Sequence, residues 1–377
     1  MRITNATALL GETFMPQTTL VTAHGEIAAI QDSTLAAQQS AVCETLCDLG
    51  GDYLLPGMVD VHIHAFMGRD TMEGEDAVRH MSRELRKMGV AAFLPTTMSA
   101  SPEDTQKALA GIYAVMQTPE PGGAVVLGAH MEAPFLQASR AGAQRKEFFV
   151  MPTQENWKRF VGPYESVVRM ITLAPELPGV MDFIATLVDK GIIVSLGHTD
   201  CTAEQVHEAA DRGASQITHT FNAQTPLNHR APGVPGAALV DSRIACQFIC
   251  DGIHLHPDVI RLLVRSKGPT LAVAITDAME AAGMPEGQYQ LGGQEVFVKD
   301  GAARLKDGTL AGSTLTMIRA MQNLIAFGIA PEDAARMVTE APARSINESD
   351  YGTLRVGAPA VMARFGKDWE FLGTVEG

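Results

Sequence analysis

The run PGMVDVHIHAF, which begins at Pro56, carries two histidines one residue apart inside an apolar, β-branched stretch. Side chains alternate faces along a strand, so His62 and His64 project to one side while Val61 and Ile63 project to the other. Two converging imidazoles serve either as hydrogen-bonded core residues or as metal ligands, since neutral imidazole is the commonest side-chain ligand. What decides is whether further ligands follow. Glu132 in GAHMEAPF, His198 in GIIVSLGH, His219 in SQITHT and Asp277 in TLAVAITD each end an apolar run. Alone, each is equally a cap or a buried hydrogen-bonding group. Together, side chains of the metal-ligand type at five strand ends outline a candidate metal site. His130, two residues before Glu132 and on the same strand face, stays open between ligand, support for a ligand and core.

Such residues meet only if the runs that carry them are neighbours. Eight strand candidates are present: VDVHIH, AAFLPT, AVVLGAH, SVVRMITLA, GIIVSLGH, SQITHT, RIACQFIC and TLAVAITD. Between them lie amphipathic stretches such as EDAVRHMSRELRKMG, SPEDTQKALAGIYAVM, GVMDFIATLVDKG and CTAEQVHEAADRG, most opening on acidic or capping residues and several closing on glycine. This alternation predicts an α/β fold, a (β/α)8 TIM-like barrel over residues 56–345, with a doubly wound open sheet as the alternative. In such a barrel catalytic groups sit at the C-terminal ends of strands, where the unusual residues fall. The flanking segments, 1–55 and 346–377, read as short strands and turns without helices between them. Chain ends commonly lie close in space, so one small β-sandwich domain built from both is expected.

The chain has 377 residues, 46% hydrophobic and 19% charged, enough to bury a large core. A formal net charge of −14 argues against a nucleic-acid or acidic-membrane partner and leaves room for a local cationic pocket for an anionic substrate. The opening MRITNATALLGETF lacks the apolar core of a signal peptide, and no apolar run approaches the roughly 18 residues of a membrane span, so a cytoplasmic location is expected. The cysteines are Cys43, Cys47, Cys201, Cys246 and Cys250. Their two C-x3-C spacings lack the gap of a zinc knuckle or redox motif, and free structural thiols are expected.

The segments HIH, HMEAPF, GHT, THTFNA, CDGIHLHP, TDAMEAAGMPEGQYQLGG and GTLAGSTLTM resemble the amidohydrolase superfamily, and within it the deacetylases of N-acetyl amino-sugar 6-phosphates. The likeness spans nearly the whole chain. HxH alone marks only the superfamily, whereas HMEAPF, TDAMEAAG and THTFNA together are specific. The resemblance implies metal-dependent hydrolysis of the N-acetyl group of N-acetylglucosamine 6-phosphate, giving glucosamine 6-phosphate and acetate, by a homodimer. It implies that Glu132, His198 and His219 hold the principal divalent ion and that His62 and His64 add a second. One or two ions per chain are expected, zinc first, with iron, manganese or cobalt as alternatives. Many relatives bridge two ions with a lysine on the fourth strand; SVVRMITLA has none, which suits a bridging Glu132. A divalent ion brings the pKa of water toward about 7 and polarises a carbonyl. Asp277 matches the general base that takes the water's proton and returns it to the leaving amine, its alternative being a turn cap.

For the substrate, the resemblance implies that Arg230, in NAQTPLNHRAPG, and His254 grip the phosphate, a task that suits the planar guanidinium fork; a surface ion pair is the alternative for Arg230. Ala143, Gln144, Asn222, Ala223, Leu310, Ala311 and Gly312 would line the sugar, with Ser313 next to them or serving as a helix N-cap. Three departures stand out. Gln144 occupies the place of a usual histidine, Ala133 that of a glycine beside Glu132, and APAVMARF replaces an Ala-Asp-Leu in the small domain. Gln144 keeps a related substrate, such as N-acetylgalactosamine 6-phosphate, open as the alternative. A ring-opening amidohydrolase of the dihydroorotase kind finds no support in the fourth strand or in THTFNA. A catalytically dead scaffold predicts lost ligands, yet His62, His64, Glu132, His198 and His219 are all present. His24, His80, His207, His229 and His256 are expected to be structural or solvent-facing.

Overall fold

In the computed structural model, which describes residues 1–32 and 45–377, every apolar run named above contains a strand. Met58–Ile63, Val90–Thr97, Ala129–Met131, Val168–Leu173, Ile193–Leu196, Gln216–Ile217, Ala245–Ile249 and Ala272–Ile275 pair in that order, all parallel. The ring closes where the eighth strand returns to the first: Asp277 N–H donates to His62 O at 2.8 Å, and Ile63 bridges Ala278. The fold is a (β/α)8 TIM barrel with a small β-sandwich built from the two chain ends. Its strands read as nearly continuous apolar runs because both faces are covered.

Outside the strands lie helices Glu75–Lys87, Pro102–Gln117, Gln154–Val161, Val180–Asp189, Ala203–Asp211, Gly233–Val240, Pro257–Lys267 and Met317–Ala326. Their ends follow local chemistry. Ser101 accepts the Asp104 N–H just ahead of Pro102, and Thr202 with Gln205 forms a reciprocal capping box. On Glu75–Lys87 the stripe Ala77, Val78, Met81 and Leu85 is buried, while Glu75 and Asp76 at the start and Arg86 and Lys87 at the end complement the helix dipole. Val78, Met81 and Leu85 join Phe93, Leu109 and Ile112 in the main core. Each such burial stabilises the fold by about 1.5–3 kcal/mol.

Strands Arg2–Leu10, Thr13–Ala23, Glu26–Asp32, Leu46–Asp48 and Tyr53–Pro56 share one seven-stranded sheet with Val361–Phe365 and Phe371–Glu376. Met362 pairs antiparallel with Pro56 and Arg364 with Leu54, so the C-terminal hairpin is stitched to the strand that leads into the barrel. Ile3, Leu20, Ile27, Leu54 and Met362 form a core of their own, and Tyr53 stacks on Trp369 at 4.1 Å.

A further sheet was not anticipated. Gly287–Leu291, Gln294–Lys299 and Ala302–Leu305 form a three-stranded antiparallel insert between the eighth strand and helix Met317–Ala326. Its signals are in the sequence: Gly292-Gly293 and Asp300-Gly301 are hairpin dipeptides, and all four residues take positive φ. The insert reaches the barrel mouth, where Gln294 Nε2 donates to Ala143 O at 2.6 Å and Leu291 lines the cavity described below. Cys201, Cys246 and Cys250 are buried free thiols, Cys47 is half-buried and free, and Cys43 lies outside the described residues. Among the described residues no helix is long and apolar enough to cross a membrane.

Candidate active site

Strand ends one, three, five, six and eight bring His64, Glu132, His198, His219 and Asp277 to the wall of an open cavity of ≈ 320 Å³, with His62 fully buried beside them. Glu132 is the centre. Its Oε1 lies 3.0 Å from His219 Nε2, 3.2 Å from His198 Nε2 and 3.4 Å from His62 Nε2, while Oε2 lies 3.1 Å from His64 Nε2. Asp277 Oδ1 lies 3.4 Å from His62 Nε2 and 3.2 Å from His64 Nε2. Nε2 faces Nε2 at 3.3 Å between His62 and His64 and at 3.1 Å between His198 and His219. Two sets of potential ligands result, one of His62, His64 and Glu132 and the other of Glu132, His198 and His219.

The backbone bends to achieve this. His198, His219 and Asp277 take φ of 47°, 30° and 50°, a region that disfavours side chains with a Cβ and is strained by about 1–3 kcal/mol per residue. Each sits where its strand ends, so the turn carries its side chain to the cavity. Gly197, just before His198, permits the close approach of neighbouring strands, since a Cβ there would meet Thr172 Cγ2 and Thr218 Cβ at 2.8 Å.

His64 Nδ1 donates to Thr96 O at 3.2 Å and His198 Nδ1 to Arg140 O at 2.8 Å. A carbonyl only accepts, so each ring, when neutral, keeps its proton on Nδ1 and turns an Nε2 lone pair toward Glu132. Burial pushes the Glu132 carboxyl up, but the charge of His62 and the hydrogen bonds of His198 and His219 outweigh it and hold Glu132 well below its usual range. Burial acts likewise on Asp277, and His62 and His64 overcome it, holding the carboxyl at about 2. For His64 burial pulls the imidazole down, yet Asp277 and Glu132 raise it to about 10. Two buried carboxylates thus draw a proton onto His64, and a divalent ion meets the same demand for positive charge while releasing that proton. Nitrogen and oxygen donors converging in a buried pocket, His64 and His198 among them anchored from behind, fit such an ion.

Of the other expected residues, Ala143, Gln144, Asn222, Ala223, His254, Leu310 and Gly312 line the cavity. His254 Nδ1 donates to Asp251 Oδ2 at 2.6 Å, and Asn222 Nδ2 is buried without a hydrogen-bond partner. Two of the expected residues are not in the cavity wall. Ala311 is fully buried in the core of the insert, its N–H on Ala303 O at 3.0 Å, and does not reach the cavity. Arg230 is exposed on its loop and is absent from the cavity wall. Ser313 is no helix cap: Thr316 caps Met317–Ala326, and Ser313 Oγ donates to Thr276 O at 2.5 Å. His130 is fully buried, with Nε2 on Thr172 Oγ1 at 2.8 Å and its ring edge-on to His62 at 4.6 Å, so it backs His62 rather than joining either ligand set.

Arg140 was not foreseen. It lines the cavity, and its Nε donates to Asp200 Oδ1 at 2.5 Å. An arginine in the loop after HMEAPF, in a chain expected to bind an anion, was the available signal.

A closed (β/α)8 barrel with imidazoles and carboxylates converging at its C-terminal mouth defines a metal-dependent barrel hydrolase. The chain belongs to the amidohydrolase family, whose sequence profile matches residues 53–374. It is 39% identical over 315 residues to the N-acetylglucosamine-6-phosphate deacetylase of Lysinibacillus sphaericus, covering 82% of this chain and 80% of that protein. It is 34% identical over 334 residues to the N-acetylgalactosamine-6-phosphate deacetylase of Escherichia coli O157:H7, covering 88% of each. Among solved structures it is similar to N-acetylglucosamine-6-phosphate deacetylase from Pasteurella multocida, with a TM-score of 0.92 at 30% identity over 100% of this chain and 97% of that one. It is similar too to a variant of the Mycobacterium smegmatis enzyme solved with N-acetyl-D-glucosamine-6-phosphate, with a TM-score of 0.90 at 30% identity over 100% and 97%.

Proposed function

We infer that this protein hydrolyses the N-acetyl group of N-acetylglucosamine 6-phosphate, releasing acetate and glucosamine 6-phosphate. The observation that carries the reading is the pair of ligand sets sharing Glu132 beside an ionised Asp277 in an open cavity, in a chain 37–39% identical to deacetylases of this substrate. Glu132, His198 and His219 would hold the principal ion, zinc in this proposal, and His62 and His64 with Glu132 a second. The ion supplies positive charge that acidifies water and polarises the amide carbonyl.

The chain's own residues do the rest. Asp277, held as a carboxylate, accepts a proton from the attacking water as its oxygen bonds to the amide carbon. The same proton passes to nitrogen as the C–N bond breaks, leaving acetate and a free amine. Asn222 Nδ2, buried without a partner, is a donor available to the sugar, and His254, fixed through Nδ1, keeps Nε2 for the substrate. Arg140 in the wall and Arg230 on its exposed loop are the cations proposed to meet the phosphate.

The division into residues 56–345 and a domain of 1–55 with 346–377, a homodimeric assembly and a cytoplasmic location belong to the same proposal. Buried free thiols at Cys201, Cys246 and Cys250 agree with a reducing compartment. N-acetylgalactosamine 6-phosphate is the second reading, supported by the relative of that name at 34% identity.

Acetate and free amine measured side by side on the two acetylated hexosamine 6-phosphates and on unphosphorylated N-acetylglucosamine test this. Equimolar release, fastest on N-acetylglucosamine 6-phosphate, is expected. Preference for the galactosamine compound would select the second reading, and no release from either would remove both.

A further inference from the structure

One side chain of the cavity wall already spends its polar atoms on the protein. Gln144, 6% exposed, accepts the Ser99 N–H through Oε1 at 2.7 Å and donates from Nε2 to Glu132 Oε2 at 2.7 Å. The partners fix the amide's orientation: a backbone N–H only donates and an ionised carboxylate only accepts, so oxygen faces Ser99 and nitrogen faces Glu132. The loop that carries it is anchored on both sides. Arg145 N–H donates to Ser99 Oγ at 2.5 Å, Gln144 N–H to Ala141 O at 2.9 Å, and Gln294 of the insert to Ala143 O at 2.6 Å. Glu132 is therefore gripped unevenly. Oε1 faces His62, His198 and His219, while Oε2 faces His64 and the Gln144 amide.

We propose that Gln144 is a positioning residue for Glu132 rather than a sugar contact: its amide ties Oε2 to the end of the second barrel strand and fixes the carboxylate plane from which both ligand sets are built. The inference rests on Glu132 being the shared metal ligand of the proposed function. A carboxylate oxygen has two lone pairs, so an N–H on Oε2 leaves one free for an ion held by His62 and His64. The donor is neutral and stays so at any working pH, and Glu132 keeps its full negative charge for the ion. A group behind a ligand that orients it in this way typically governs metal affinity by about 10- to 100-fold.

The test is metal loss from the zinc-loaded protein under chelator competition, with kcat and KM measured alongside. Gln144→Met keeps the length and removes the donor; Gln144→His keeps an N–H. Gln144→Met is expected to weaken zinc affinity by about 10- to 100-fold, with melting of the metal-stripped protein unchanged, and Gln144→His to keep most of the affinity. Unchanged affinity with a raised KM in Gln144→Met would make Gln144 a substrate contact and overturn the proposal. So would an affinity loss matched by lower melting of the stripped protein, which marks a packing role. If the unsubstituted protein takes up no zinc, the metal-dependent function itself fails; if it does and the variants hold zinc equally well, only the role of Gln144 fails.

Discussion

In the proposed reaction Asp277 carries the chemistry that is hardest to replace. It is ionised, it lies within 3.4 Å of both strand-one histidines, and its backbone is held by His62 O and Ser313 N–H, so its carboxylate is in place before substrate arrives. A group that takes and returns one proton acts mainly in the transition state. Asp277→Asn is therefore expected to lower kcat by about 100- to 10,000-fold with little change in KM and with metal retained, by steady-state kinetics beside elemental analysis. Near-normal turnover, or loss that only follows loss of metal, would take the acid-base role away from Asp277. Replacing His62 and His64 together is expected to lower bound metal from about two ions per chain toward one, whereas replacing His219 abolishes activity; a single ion at most in the unsubstituted protein under excess metal would remove the second site. Arg230→Ala is expected to weaken affinity for the 6-phosphate about tenfold and to spare the unphosphorylated sugar. Equal loss on both would make Arg230 structural. The ligand candidates were legible in the sequence because imidazoles and carboxylates ending apolar runs are conspicuous. The part Gln144 plays toward Glu132, and Arg140 altogether, were not, because their partners, Ser99, Glu132 and Asp200, meet them only through loop geometry that periodicity does not encode.

At the scale of the element, the seam between strands one and eight decides whether the two halves of the site face each other. Asp60, fully buried in the first strand, accepts Thr276 Oγ1 at 2.5 Å and the His62 N–H at 3.3 Å, and burial pushes its carboxyl up to about 6 against those bonds. Asp60→Ala strands a hydroxyl and a backbone N–H at the seam. Urea unfolding of the metal-stripped protein is expected to show it less stable by about 1–3 kcal/mol, with Asp60→Asn, which keeps an acceptor, less affected; unchanged stability in Asp60→Ala would contradict this account of closure. The strands and the helices Glu75–Lys87, Pro102–Gln117, Val180–Asp189 and Ala203–Asp211 were readable from their periods because each buries one continuous face. Strand six shrinks to Gln216–Ile217 because the chain turns left-handed at His219, a choice made by the site and not by propensity. The insert over Gly287–Leu305 carried legible turn dipeptides, but part of its stretch read first as a motif.

Across the whole molecule, eight βα units of local sequence build the barrel, and two segments some three hundred residues apart close one sheet beside it, Met362 against Pro56. That pairing follows no period; only the change of texture at both ends announced it. The barrel gathers candidate metal ligands from four strand ends, and Asp277 from a fifth, around one pocket. An ion that binds the folded chain alone stabilises it by about 2.7 kcal/mol at a hundredfold excess over its dissociation constant, so chelation is expected to lower the melting temperature and zinc to restore it. The most direct measurement is a zinc titration of the metal-stripped protein at saturating N-acetylglucosamine 6-phosphate, following bound ion and acetate release together. Negligible release from the stripped protein and a rate that rises in step with the first ion bound per chain are expected. Full acetate release by the stripped protein, unchanged as zinc is added and bound, would contradict metal-dependent hydrolysis.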